Sequence, residues 1–278
     1  MKTLGNIDNR LLVFGGPYSN LAATEAMRSK ALELEIEAER IICTGDLVAY
    51  CAEPQQTLDL IRDWGIHVVM GNCEESLATE QIDCGCGFEE DSACSALSIA
   101  WYQYAGQHID YESRLWMNLL PRSISFQMKN YRFKVVHGSV THINQFVFPS
   151  TSSDIKHRQI VKADAEVVIG GHCGIPFGQI IEDKLWLNAG VIGLPANDGS
   201  TDGWYMLLEP ESTGFQVSWH RLCYDADISR RSTLAAGMTE YAQALTSGLW
   251  PSMDILPAPE RSNQGKRIDL APLRIDWV

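Results

Sequence analysis

The sequence predicts an α/β protein: a four-layer α/β/β/α sandwich of two mixed sheets with helices outside, plus a helical insertion. Three observations predict it. Short apolar runs alternate with helical stretches from Arg10 to Asn72. Strand patterns with antiparallel turn signals resume at Ser123. The segment between them, residues 73–121, has helical spacing and a Cys/Gly-rich loop but no strand pattern. Short βα connections imply parallel strands with right-handed crossovers, and hairpins imply antiparallel ones.

The elements follow in order. Arg10 to Gly15 reads as a first strand ending in a Gly-Gly turn. Asn20 can cap a helix running to about Ala38, with Leu21, Ala22, Ala26, Leu32 and Leu34 as buried candidates. A second strand, Ile41 to Thr44, ends at Gly45-Asp46. Pro54 starts a helix through about Trp64, with Leu58, Leu60 and Ile61 apolar. The third strand, His67 to Met70, ends at Gly71-Asn72.

In the insertion, the loop CGCGFEEDSAC leads into a helix from Ser92 to His108, and a second helix covers Glu112 to Leu120. Ser123 to Met128 and Tyr131 to Val136 flank a turn at Lys129-Asn130. Thr151 to Lys162 reads as a helix. Glu166 to Ile169 is a strand that runs into GGHCG. Gln179 to Ile181 pairs with Lys184 to Asn188 about Glu182-Asp183; Tyr205 to Leu208 and Phe215 to Cys223 follow. One helix spans Ile228 to Leu245, and the chain turns Pro-rich from Gly248. The sandwich domain is expected over residues 1–222, with residues 223–278 as a C-terminal helix and tail packing on it.

Composition limits function. Apolar residues make up 45% of 278, enough for a sizeable core. With 22 basic and 35 acidic side chains the formal charge is −13. That balance argues against nucleic acid or an anionic membrane surface as partner. It also means that a phosphate-handling site needs local positive charge of its own, such as a metal. There is no signal-like apolar region after the N-terminus and no run of membrane-spanning length, so a cytoplasmic location is expected. The eight cysteines are then expected as thiols or metal ligands rather than a disulfide framework.

Four strands end in a glycine-flanked polar residue: Asp46, Asn72, His137 and His172. Each has an ordinary alternative, a turn residue or a hydrogen-bonded core histidine. As a set, one carboxylate, one amide oxygen and two imidazoles suit Mn²⁺, Fe²⁺ or Zn²⁺. Adjacent glycines let backbone approach an ion or phosphate.

The order of LLVFGGPYSNLAATEAM, IICTGDLVAY, HVVMGNCEESL, FKVVHGS and VVIGGHCGIPF resembles the calcineurin-like metallophosphoesterases, in particular their small bacterial Gly-Asn-Cys branch. LWLNAGVIGLP is similar to the turn that follows the last motif there. The resemblance covers about residues 10–222. It implies the four-layer sandwich, two metals and phosphoester hydrolysis by a metal-activated water. It assigns one metal to Asp46, Asn72, His137 and His172. The other metal normally needs an Asp-x-His after the first strand and the last histidine of Gly-His-x-His. Gly16, Tyr18 and Gly174 stand at those places, which predicts a single divalent transition metal.

Two functions are expected to compete. One is a phosphoesterase for a small phosphomonoester or phosphodiester. Tyr18 and His137 are its catalytic candidates, Tyr18 orienting the substrate and His137 among the ligands of the ion that presents the water. The other is a catalytically inactive member of the fold that binds a metal, a phosphate compound or a protein. A possible second metal site is Cys84, Cys86 and Cys94, with structural zinc or iron, against reduced thiols or a redox pair of Cys84 with Cys86.

Overall fold

A computed structural model describes residues 1–87 and 92–276. Part of the expected CGCGFEEDSAC loop, residues 88–91, lies outside the described residues.

Two six-stranded sheets pack face to face. The first has the order β1-β5-β6-β7-β9-β8: β1 (Lys2–Asn6), β5 (Ser123–Met128), β6 (Tyr131–Val136), β7 (Val167–Gly170), β9 (Lys184–Asn188) and β8 (Phe177–Ile181). The second has the order β12-β11-β10-β2-β3-β4: β12 (Leu273–Ile275), β11 (Phe215–Leu222), β10 (Gly203–Pro210), β2 (Leu11–Phe14), β3 (Ile41–Cys43) and β4 (His67–Val68). The parallel trio β2-β3-β4 continues antiparallel into β10 and β11, and the first sheet pairs β6, β7 and β9 in parallel. Parallel and antiparallel strands are thus mixed within each sheet, not divided into one parallel and one antiparallel half.

Strand alternation builds two cores from one strand. Leu11 and Val13, with Ile42, Met206 and Val217 of their own sheet, face the other sheet, where Phe133, Ile169 and Leu187 meet them. Leu12 and Phe14 point the other way, into the helical layer. That layer holds α1 (Leu21–Glu33), α2 (Pro54–Trp64), α4 (Ala93–His108), α7 (Ala226–Ala235) and α8 (Thr239–Ser247). On the far face of the first sheet, Val168 and Trp186 pack with Ile160 of α6 (Ser153–Ala163) and Leu256 of the tail.

Several local signals act as expected. The Asn20 side chain accepts a hydrogen bond from the Ala23 amide, capping α1. Pro54 opens α2, and Gly65 in the left-handed region closes it. Lys129-Asn130 turns between β5 and β6. Other expectations change. α1 ends at Glu33 and buries Ala23, Thr24, Met27 and Ala31, while Leu32 stays 72% exposed. Apolar residues occur on both faces of this helix, and the face with small side chains allows the closer approach to the sheet. The single helix expected over 228–245 is two, α7 and α8, separated at Gly237 with φ +84°. β1, α3 (Asn72–Ala78) and β12 have no counterpart in the sequence reading. α5 (Tyr111–Asn118) completes the insertion, and α9 (Ala258–Arg261) lies in the tail. Among the described residues no helix is long and apolar enough to cross a membrane.

Candidate metal centre

The C-terminal ends of β3 and β4 in one sheet face those of β6 and β7 in the other. Asp46 follows β3 and Asn72 follows β4, while His137 follows β6 and His172 follows β7. The fold therefore gathers all four expected residues, each buried. The Asp46, His137 and His172 donor atoms lie within 4.8 Å of one another. Asp46 Oδ2 is 3.1 Å from His137 Nε2 and 3.8 Å from His172 Nδ1. Asn72 Oδ1 is 3.0 Å from His137 Nε2, which is also 3.1 Å from His172 Nδ1.

The ring of His137 is fixed by its other nitrogen. His137 Nδ1 lies 2.7 Å from the Thr44 carbonyl, which can only accept, so Nδ1 carries the proton and Nε2 offers a lone pair. The amide of Asn72 is fixed in the same way: its Nδ2 donates to the Cys84 carbonyl at 3.0 Å and contacts Cys86 Sγ at 3.3 Å. That turns Oδ1 toward the centre. Two lone-pair nitrogens, an amide oxygen and a carboxylate, with the surrounding hydrogen bonds orienting them, form a donor set that could hold one divalent transition metal.

Electrostatics agree with this geometry. Burial raises the Asp46 pKa, but the two imidazoles outweigh it and hold the carboxyl well below the usual range. Burial favours neutral His137, yet the Asp46 carboxylate prevails and its pKa moves up. Burial pushes His172 down.

Glu74 supports the turn that carries Asp46. Its carboxylate is fully buried on α3 and accepts four backbone N–H groups. Oε2 takes Asp46 at 2.8 Å and Gly71 at 2.9 Å; Oε1 takes Leu47 at 2.7 Å and Val48 at 3.3 Å. Asp46 sits at φ +57°, and this clamp holds the turn that places it there. Burial, then the Asp46 charge, raises the Glu74 pKa, and the N–H donors oppose them. The available signal was a glutamate three residues into α3 after Gly71, the spacing of a capping box.

At the place expected for the other metal, the described residues offer no second set of ligands. A Cβ on Gly16 would lie 2.6 Å from both Tyr18 Cζ and Val191 Cγ1, and Gly16 has φ +44°. A Cβ on Gly174 would meet the Trp250 ring at 3.1 Å. Aromatic and aliphatic side chains thus close this space, and the residues present do not fit a second ion. Burial, then the Asp46 charge, keeps the Tyr18 phenol protonated.

The expected cysteine site does not form. Cys84 and Cys86 are joined as a disulfide, which also corrects the expectation of free thiols or metal ligands at these positions. Cys94 lines a cavity beside the centre, away from Cys84 and Cys86. Among the described residues none of the three belongs to a group with metal-ligating geometry, so structural zinc or iron is not supported there. A two-residue spacing brings Cys84 and Cys86 together, whereas α4 carries Cys94 toward the helical layer.

Residues 19–213 match the family model described as the calcineurin-like phosphoesterase superfamily domain. The chain belongs to this superfamily. An uncharacterised protein of Methanocaldococcus jannaschii is 26% identical over 237 residues, covering 79% of this chain and 89% of that one. The crystal structure of a hypothetical protein from Pyrococcus horikoshii superposes with a TM-score of 0.73 at 17% identity, covering 87% of this chain and 99% of the other. That of a metallophosphoesterase from Sphaerobacter thermophilus gives 0.66 at 20%, covering 87% and 100%. These two likenesses support the superfamily's two-sheet sandwich.

Proposed function

We propose that this superfamily member is a metal-dependent phosphoesterase acting on a small phosphomonoester or phosphodiester, with one metal at Asp46, Asn72, His137 and His172. The observation that carries the reading is the convergence of four buried donors with the His137 tautomer and the Asn72 amide both fixed toward one point. A divalent transition metal, when bound, polarises a phosphate and lowers the pKa of a water it holds. The chain's own residues do the rest. His137, donating from Nδ1 to Thr44, turns Nε2 toward the ion. The Tyr18 hydroxyl, held neutral, donates to a phosphate oxygen and orients the substrate.

A second reading has its own support. The closed space about Gly16 and Gly174 removes the symmetric two-metal clamp on attacking and leaving oxygens. A descendant that only binds metal and phosphate would have this architecture too.

Metal content and turnover separate the two. Purified protein is expected to hold about one transition ion per chain, lost in Asp46→Ala. It is expected to hydrolyse at least one member of a phosphoester panel, and Asp46→Ala to hydrolyse none. Stoichiometric metal without turnover would favour the binding-only reading, and two ions lost together in Asp46→Ala would sink the mononuclear one.

A further inference from the structure

A cavity opens beside the centre, and the two share Tyr18 and His172. Its walls are the rings of Tyr18, Tyr50, Phe146, Tyr241 and Trp250, with Leu97 of α4 among the aliphatic groups. The cavity between these walls has a volume of about 60 Å³ and is open at its mouth. Among the described residues it has no lysine, arginine, aspartate or glutamate in its lining. One wall is an interlocked aromatic group. Tyr50 stacks on Tyr241 at 4.8 Å and meets the edges of Tyr18 at 4.7 Å and Trp101 at 5.3 Å.

His172 connects the cavity to the centre. Its Nδ1 faces Asp46 and His137, and its ring stacks on Phe146 at 4.1 Å. The side chain is more than nine-tenths buried.

We propose that this cavity is the subsite for an uncharged aromatic ring carried by the phosphoester, so that the substrate class is aryl phosphoesters. This rests on the phosphoesterase reading above. The argument is chemical. Rings recognise a planar apolar group by stacking and edge contacts. With no formal charge in the described lining, a sugar phosphate's second anion finds no counter-ion there. Phosphate placed at the centre leaves the rest of the substrate to enter this cavity. The same Tyr18 and Trp250 rings that close the place of a second metal thereby serve substrate selection.

Calorimetric titration of Mn²⁺-loaded protein with phenylphosphonate and methylphosphonate tests this without turnover. Phenylphosphonate is expected to bind at least about tenfold more tightly. Leu97→Trp, which fills the cavity from α4, is expected to abolish that advantage and leave methylphosphonate affinity unchanged. Saturation-transfer NMR with phenol on metal-free protein should show ring binding in the wild type and none in Leu97→Trp. Equal affinity for the two phosphonates would overturn the aryl subsite while leaving the phosphate centre intact. Binding of tetramethylammonium in place of phenol would overturn it in favour of a cationic ligand. Binding of phenol with neither phosphonate bound would remove the phosphate reading and the substrate role of the cavity together.

Discussion

At the scale of single residues, the centre depends on which nitrogen of His137 is free. The Thr44 carbonyl holds the proton on Nδ1, so a metal at Nε2 competes with a second proton there. Asp46 raises the His137 pKa above its ordinary value despite burial. The competing proton is therefore held more tightly than on an ordinary imidazole, and metal binding must release it. Affinity is expected to rise with pH as long as the pH lies below the His137 pKa, by about tenfold per unit. His172, pushed down by burial, adds its own proton dependence only at lower pH. Competition with a chelator indicator at three pH values measures this, and a pH-independent affinity would contradict the ligand role of His137. The four residues that converge, Asp46, Asn72, His137 and His172, were legible because each follows an apolar strand and a glycine is next to it. Thr44 and Trp250 were not. A backbone carbonyl that fixes a tautomer has no residue-type signature, and Trp250 reaches the site from a segment with no periodicity.

At the scale of elements, strands and capped helices were legible where local chemistry sets them. Asn20, Pro54 and the Lys129-Asn130 turn each fix a boundary through their own backbone preferences. α3 was missed because Gly71-Asn72 reads as a turn, although Glu74 carried the capping signal. The helix matters because it joins two strand ends. Glu74 projects from its first turn and ties the 46–48 backbone to Gly71. Glu74→Gln keeps the shape but replaces one acceptor oxygen with an amide that faces N–H donors. Up to two of the four N–H groups then lose their partner, at about 1–3 kcal/mol each. Denaturant unfolding should show a loss of roughly 2–4 kcal/mol. Metal affinity should fall by about 10–100-fold as Asp46 is released from its turn. Unchanged metal affinity in a folded Glu74→Gln protein would show that the clamp serves stability alone.

At the scale of the whole molecule, the tail is part of the sandwich. β12 pairs with β11 at the edge of the second sheet, with Ile275 opposite Phe215. Ile275 is buried in the inter-sheet core formed by residues far away in sequence, among them Phe133 and Val217. Farther back, the Trp250 ring donates to the Pro195 carbonyl and Glu260 accepts from Ser150, so the tail is tied to both faces of the fold. Nothing local announces this: a Pro-rich stretch with one short apolar run near its end reads equally as an appendage. The two descriptions differ in free energy. A loosely attached tail would tolerate Ile275→Ala within about 0.5 kcal/mol, as surface substitutions do. An edge strand sealing a shared core should lose about 2–5 kcal/mol, the range for removing a buried isoleucine side chain down to alanine. Because the core spans both sheets, the loss should appear as one shift of the denaturation midpoint, the same by tryptophan fluorescence and by circular dichroism. Transitions that separate between the two probes would mean that the tail unfolds independently of the sheets that carry the candidate metal centre.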